Sequence, residues 1–359
     1  MGTKLDFAYR ALPMRVRFGV GSVAMLGEEL AALGLERVLV LSTPGQHDKA
    51  GKIAEALGDR AAGLHPGAQM HVPTDVVQRA RAVASHLRVD GYVAVGGGST
   101  VGLAKALALE SGLPIVAVPT TYAGSEMTPV WGLTENGEKR TGRDDRVLPK
   151  SVIYDPELSS RLPSNLSITS GMNAMAHAVE ALYAPDNSPI ISLMAEEGVR
   201  AIAQGMPRVA AEPADEEGRT AMLYGAWLCG ACLGATTMSL HHKLCHILGG
   251  TFGLPHADVH AVVLPHVVAF NTPAAPATAA ALKRALDTEA PARTLYELSR
   301  SAGAATSLHE LGLGEVDLDL AVELATRNPY ANPRPVTPQA VRAILTAALI
   351  GSPPNDARI

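Results

Sequence analysis

Six of the chain's twelve histidines stand between residues 240 and 267: His241, His242, His246, His256, His260 and His266. An imidazole carries one donor and one acceptor, titrates near neutrality and ligates metals. Such a concentration can hold a metal ion, move a proton or meet a developing negative charge. Residues 240–248 contain neither glycine nor proline and read as the end of a helix, with His242 and His246 on one face. Gly249 and Gly250 supply its stop. His256 follows Pro255 in the next loop, where a turn can aim it back at that helix.

A second helical stretch, 170–183, puts Asn173 and His177 on one face. With His242 and His256 they make a cluster of four. An aspartate at 173 would complete a strong divalent-metal site, a hard anionic oxygen beside three imidazoles. Asn173 is neutral and leaves a 2+ ion less well compensated. His177, His242 and His256 can still hold zinc as a three-imidazole set. Metal-assisted and metal-free chemistry both stay open, and the neutral donor set favours the second.

A different chemistry belongs to residues 91–100. A buried β-branched run ends in Gly96-Gly97-Gly98-Ser99-Thr100 and then a helix. Glycines let a diphosphate approach the backbone, and a helix N-terminus offers free N–H groups. The loop is not GxGxxG, since Val101 stands where glycine is needed, nor a Walker A loop, since Leu103 replaces its lysine. Thr120, Thr121 and Tyr122 follow the next strand, so they belong to the same C-terminal sheet edge, where open α/β sheets bind ligands. The strand at 37–41 leads into Ser42 and Thr43. No carboxylate there would repel a 2′-phosphate, so the expectation is an enzyme that uses NADH and tolerates NADPH.

The elements that must position these residues change character along the chain. Strand runs at 15–18, 37–41, 91–95, 115–118 and 152–154 alternate with helical spacing, which predicts a parallel sheet covered on both faces. Beyond residue 160 only helical stretches follow, at 170–183, 192–204, 216–248 and 279–302. The expected organisation is an α/β dinucleotide-binding domain over 1–160 and an all-helical substrate and catalytic domain over 161–359.

The 359 residues exceed one ordinary core, and 47% hydrophobic with 18% charged residues describes a globular chain. A net charge of −5 without a basic run argues against nucleic acid. Cys229 and Cys232 form a lone CxxC inside an apolar helical run and, with Cys245, read as buried thiols in a reducing cytoplasm. Residues 220–242 carry no formal charge and match the length of a membrane span. Their glycines and His241, with no second span, favour a buried helix. The N-terminus lacks an apolar signal core.

These motifs carry a resemblance. The chain resembles the iron-containing alcohol dehydrogenase superfamily, and within it the maleylacetate reductases. The likeness runs from Phe7, Tyr9 and Pro13 through the glycine loop, the segment Pro119-Thr120-Thr121-Tyr122-Ala123-Gly124-Ser125-Glu126, the lysine Lys139, the stretch 170–184 and the histidine-rich region. It implies a dehydroquinate synthase-like fold with a cleft between its domains. It implies that the glycine loop holds a pyrophosphate, that the Thr120-Thr121 segment lies by the nicotinamide and that Lys139 reaches the cofactor. In the superfamily an Asp and three His bind iron or zinc. Three departures resemble the maleylacetate reductases, which are described as needing no metal: Gly102 for Asp, Tyr122-Ala123-Gly124 for a longer loop, and Asn173 for the metal-binding Asp.

The implied reaction is reduction of 2-maleylacetate to 3-oxoadipate by NADH or NADPH in aromatic catabolism. The alternative is a metal-dependent alcohol or polyol dehydrogenase of the same superfamily. In the first reading His242 and His256 bond a developing enolate with His177 beside them, and His246 donates the proton or packs near the nicotinamide. The dicarboxylate needs cations, drawn from Arg140, Arg143, Lys243, Arg334 and a protonated His241, with Tyr122, Trp131 and Tyr330 available to line the pocket. A homodimer is the expected assembly.

Overall fold

The computed structural model describes residues 6–135 and 138–355. The chain divides into two compact units, Leu12–Leu162 and the described residues of Met1–Ala11 with Pro163–Ile359. The division falls close to residue 160, but the segment up to Ala11 groups with the helices rather than with the α/β unit.

The α/β unit holds strands β1 (Arg15–Phe18), β2 (Val38–Leu41), β3 (Ala61–His65), β4 (Gly91–Gly96), β5 (Ile115–Pro119), β6 (Val130–Glu135), β7 (Glu138–Arg143) and β8 (Ser151–Tyr154). Six of them form a parallel sheet in the order β1-β8-β5-β4-β2-β3, while β6 and β7 pair as an antiparallel hairpin. Helices α1 (Leu26–Ala32), α2 (His47–Leu57), α3 (Thr74–Leu87) and α4 (Gly98–Ser111) connect the strands. Val38, Val40, Val93, Val95, Val116 and Val118 are fully buried on one face, packed with Leu26, Leu30 and Ile53. The alternate residues Leu39, Leu41, Ala94 and Ala117 are equally buried, so both faces are covered, as the continuous apolar runs require.

Two parts of this unit escape the sequence pattern. β3, Ala-Ala-Gly-Leu-His, lies at the sheet edge, where weak β-propensity suffices. The β6–β7 hairpin is polar and lies outside the main sheet.

The second unit is helical: α5 (Ser164–Leu182), α6 (Pro189–Ala211), α7 (Glu216–Ala235), α8 (Leu240–Phe252), α9 (His256–Asn271), α10 (Pro276–Leu286), α11 (Pro291–Ser301), α12 (Leu318–Thr326) and α13 (Pro338–Leu349). The uncharged stretch 220–242 is not one helix. α7 and α8 are bent by 97° at a break, and among the described residues no single helix is long and apolar enough to cross a membrane. A Cβ on Gly225 would stand 2.7 Å from the Gly198 carbonyl oxygen. The glycines therefore let α6 and α7 approach backbone to backbone. α8, α9, α12 and α13 enclose one hydrophobic core of this unit.

Three local expectations are corrected. The single helix expected over 216–248 is two: α7 ends at Ala235 and α8 starts afresh at Leu240, so residues 240–248 open a helix rather than close one. α8 passes through Gly249 and Gly250 and stops at Gly253, whose φ of 70° is the left-handed geometry of a helix end. His256 is the first residue of α9, not a loop residue, since Pro255 serves as its N-cap.

Candidate active site

The cradle in the α/β unit forms where β2, β4 and β5 end. The strand order reverses between β2 and β4, which opens a crevice at their C-terminal edge. Ser42 and Thr43 follow β2, Gly96 to Ser99 close β4 and open α4, and Thr120 to Tyr122 follow β5. All the cofactor residues expected from sequence except Lys139 therefore share one edge. Gly96 has φ of 155°, and a Cβ there would lie 2.3 Å from Thr100 Oγ1. A Cβ on Gly97 would lie 2.6 Å from Thr121 Oγ1, so Gly97 lets the two loops close on each other, while Gly96 makes room for the first turn of α4. No side chain among the described residues caps α4, and with Thr100 N–H bonded to the Gly97 carbonyl it is the Gly98 and Ser99 N–H groups that face a ligand. Among the described residues the buried hydroxyls of Ser42, Thr100 and Thr120 have no hydrogen-bond partner. Tyr122 is fully buried. Lys139 stands on β7 opposite Thr134, and its side chain lies outside the described residues.

Sequence reasoning missed the residue that fastens this cradle. Lys105 of α4 is buried and donates to the carbonyl oxygens of Ser125, Thr128 and Val130, each at 2.7 Å, and to Thr128 Oγ1 at 2.9 Å. Burial pushes its pKa down to about 7, with buried Glu126 opposing that shift. Glu126 accepts from Tyr154 Oη at 2.8 Å. The segment after β5 is thus tied to the helix that carries the glycine loop.

The histidines assemble in the helical unit. α5 carries Asn173, His177 and Glu180 on successive turns of one face, at 6%, 4% and 0% exposure. The Glu180 carboxylate accepts the main-chain N–H groups of Ser239 and His241, each at 2.7 Å. It therefore caps the N-terminus of α8, where the helix dipole favours an anion. It also takes His242 Nδ1 at 2.7 Å. A carboxylate only accepts, so the hydrogen sits on Nδ1 and Nε2 is the free nitrogen. That Nε2 is buried without a partner among the described residues, as are Asn173 Oδ1 and His177 Nδ1.

Ring contacts link six imidazoles. His177 stacks on His242 with centroids 5.1 Å apart. His242 meets His246 at 6.2 Å and His260 at 5.1 Å, and His256 meets His260 at 4.5 Å. His246 and His256 are exposed and stack on each other, while His177, His241, His242 and His260 are buried. Burial, reinforced by the neighbouring imidazoles, holds His177, His241 and His260 well below the usual histidine range, so all three are neutral at pH 7. The expectation of a cationic His241 is corrected accordingly.

The trio expected to hold a metal was His177, His242 and His256. Among the described residues, the trio whose ligand atoms all lie within 4.8 Å of one another is His241, Cys245 and His260. Its imidazoles contact each other at 2.9 Å from His241 Nε2 to His260 Nδ1. Sequence reasoning missed Glu180 and His260 as parts of the site. The spacing of Glu180 from His177 was the available signal for the first.

Two profile matches cover most of the chain: Iron-containing alcohol dehydrogenase over residues 13–156, and Fe-containing alcohol dehydrogenase family, C-terminal, over residues 167–349. The chain belongs to the iron-containing alcohol dehydrogenase family. Within this family, it is 54% identical to the maleylacetate reductase of Pseudomonas sp. strain P51 over 98% of this chain and 100% of that one. The crystal structure of maleylacetate reductase from Agrobacterium tumefaciens superposes with a TM-score of 0.95 at 50% identity, covering 98% of this chain and 100% of that one. That from Rhizobium sp. strain MTP-10005 gives 0.94 at 51% identity, covering 97% and 99%.

The family's name implies iron, and the residues here fit iron poorly. Asn173 supplies a neutral oxygen, and the one carboxylate of α5, Glu180, is engaged by the α8 N-terminus and His242 Nδ1.

Proposed function

We propose that this chain is an NAD(P)H-dependent maleylacetate reductase that reduces the C=C bond of 2-maleylacetate to 3-oxoadipate, using imidazoles rather than a metal. End-to-end identity of about half with chains of that activity carries the reaction. It favours this reaction over the alcohol dehydrogenase alternative.

Hydride from the nicotinamide adds to the alkene carbon remote from the ketone. The alkene electron pair moves toward the ketone, whose oxygen becomes an enolate. Protonation of the other alkene carbon then restores the ketone, so one hydride and one proton are consumed. Nothing in this sequence needs a Lewis acid if a donor meets the oxygen. His242 suits that role. Its Nδ1 is committed to Glu180, which balances the charge when Nε2 carries a proton. His177, stacked on it and neutral, adds a second polar nitrogen, and His256 assists at the oxygen. His246 is exposed, can reload from water, and serves as the proton donor.

The cradle at β2, β4 and β5 supports NADH as the working reductant. The neutral Ser42 and Thr43 supply no carboxylate against a 2′-phosphate, so NADPH is tolerated. Three free buried thiols and an NAD(P)H reductant suit the cytoplasm. The working assembly is a homodimer on this reading, and light scattering on the eluting peak tests it by returning twice the chain mass or not.

The test is NADH oxidation with freshly prepared maleylacetate, on protein stripped of metal and held in chelator. Rapid oxidation is expected. Activity that returns only with zinc or iron would remove the metal-free mechanism, and oxidation of diols by NAD without maleylacetate turnover would remove the reaction itself.

A further inference from the structure

A buried dicarboxylate needs a cation, because an unpaired charge taken out of water is costly. The structure separates the available ones. Arg140 is exposed and paired with Glu135 at 3.1 Å. Arg143 is exposed at the end of the β7 strand. Arg334 donates to the Phe270 carbonyl oxygen at 3.1 Å and lies over that ring at 4.4 Å. His241 is neutral.

Lys243 is different. It is half-buried in the first turn of α8, and among the described residues its ammonium has no hydrogen-bond or ion-pair partner. It lines a cavity of about 340 Å³ with Ser239, His242, His246, Asn328 and Tyr330. His242 Nε2 and the Tyr330 hydroxyl are both buried without partners among the described residues. Tyr330 is no chance neighbour. Ser239 Oγ donates to Asn332 Oδ1 at 2.9 Å, and Asn332 exchanges amide bonds with Asn271 at 2.9 and 2.8 Å. These bonds pin the segment after α12 beside the start of α8.

The cavity therefore sets a cation and a hydroxyl donor next to the imidazole assigned to the ketone oxygen. We propose that Lys243, assisted by Tyr330 Oη, binds one carboxylate of the substrate and so selects an acidic enone. Lys243 is a specificity residue that touches substrate but not the reacting atoms. Its ammonium acts as a point charge, so an arginine can replace it in part. The inference rests on maleylacetate as the substrate.

The experiment compares wild type, Lys243→Met, Lys243→Arg and Tyr330→Phe in two ways. Steady-state assays give KM and kcat for maleylacetate, and calorimetry gives the Kd of the product, 3-oxoadipate. Lys243→Met is expected to raise KM and Kd at least tenfold while kcat falls less than threefold. Lys243→Arg should recover most of the loss, and Tyr330→Phe should raise both constants several-fold. Thermal melts check that each half-buried position tolerates its substitution. KM and Kd within threefold of wild type in Lys243→Met would overturn the subsite, as would a loss confined to kcat. Wild type that binds 3-oxoadipate in a Lys243-dependent way yet fails to turn over maleylacetate would uphold the carboxylate seat and overturn the substrate reading alone.

Discussion

The Glu180 carboxylate bonds His242 Nδ1 at 2.7 Å while it also accepts the main-chain N–H groups of Ser239, His241 and, more weakly at 3.4 Å, His242 at the start of α8. One buried group thus sets a helix terminus and the direction of an imidazole. Glu180→Ala leaves those donors unsatisfied, at about 1–3 kcal/mol each. The expected outcome is a fall of roughly 3–5 kcal/mol in unfolding free energy, read by urea denaturation. Glu180→Gln should lower kcat more than tenfold even where the fold survives, since its amide cannot balance a charged His242. A Gln variant with normal kcat would remove Glu180 from the mechanism.

His242 and His256 are assigned to the enolate oxygen. Replacing either by alanine is expected to lower kcat by about 10²-fold, the usual consequence of losing one donor to a developing oxyanion. Single-turnover mixing of enzyme–NADH with maleylacetate reads the step directly. Near-normal rates in either variant would exclude that residue.

Asn173 makes the metal question chemical rather than statistical. Asn173→Asp restores an anionic oxygen beside His177 and His242, so the variant should retain zinc through dialysis that strips wild type. Metal content by mass spectrometry measures this. Equal retention by the two proteins would show that charge at 173 does not govern metal binding.

Buried neutral histidines make stability depend on acid. Burial pushes His266 down to about 4 from an ordinary 6.5. The folded chain therefore binds fewer protons than the unfolded chain between those values. The contribution is complete above pH 6.5 and is lost as pH falls toward 4, with a size of roughly 3 kcal/mol for this group. His177, His241 and His260 shift in the same direction. Urea titrations at pH 7.5, 6 and 5 should show falling stability, with a shallower slope in His266→Gln.

The fold was largely legible because its core strands are β-branched runs buried on both faces, and because 3.6-residue spacing governs everything beyond residue 160. β3 was not legible, since an edge strand needs little apolar surface. The α7–α8 break was hidden as well. Thr236 and its neighbours carry no proline or charge to mark it, and the bend is stabilised by Glu180, which lies some sixty residues earlier in the chain.

The same division holds at the site. Composition and spacing alone determined which residue types were available: a glycine turn before a helix, hydroxyls at the ends of two strands, and imidazoles four residues apart. Those are local properties of a chain. The tertiary structure decided how they are used. It made His260 a neighbour of His177 and His242, turned His241 from a possible cation into a neutral buried ring, and left Lys243, among the described residues, without a partner beside a cavity. Charge state and partnership depend on burial and on contacts between distant segments, and no local pattern encodes either.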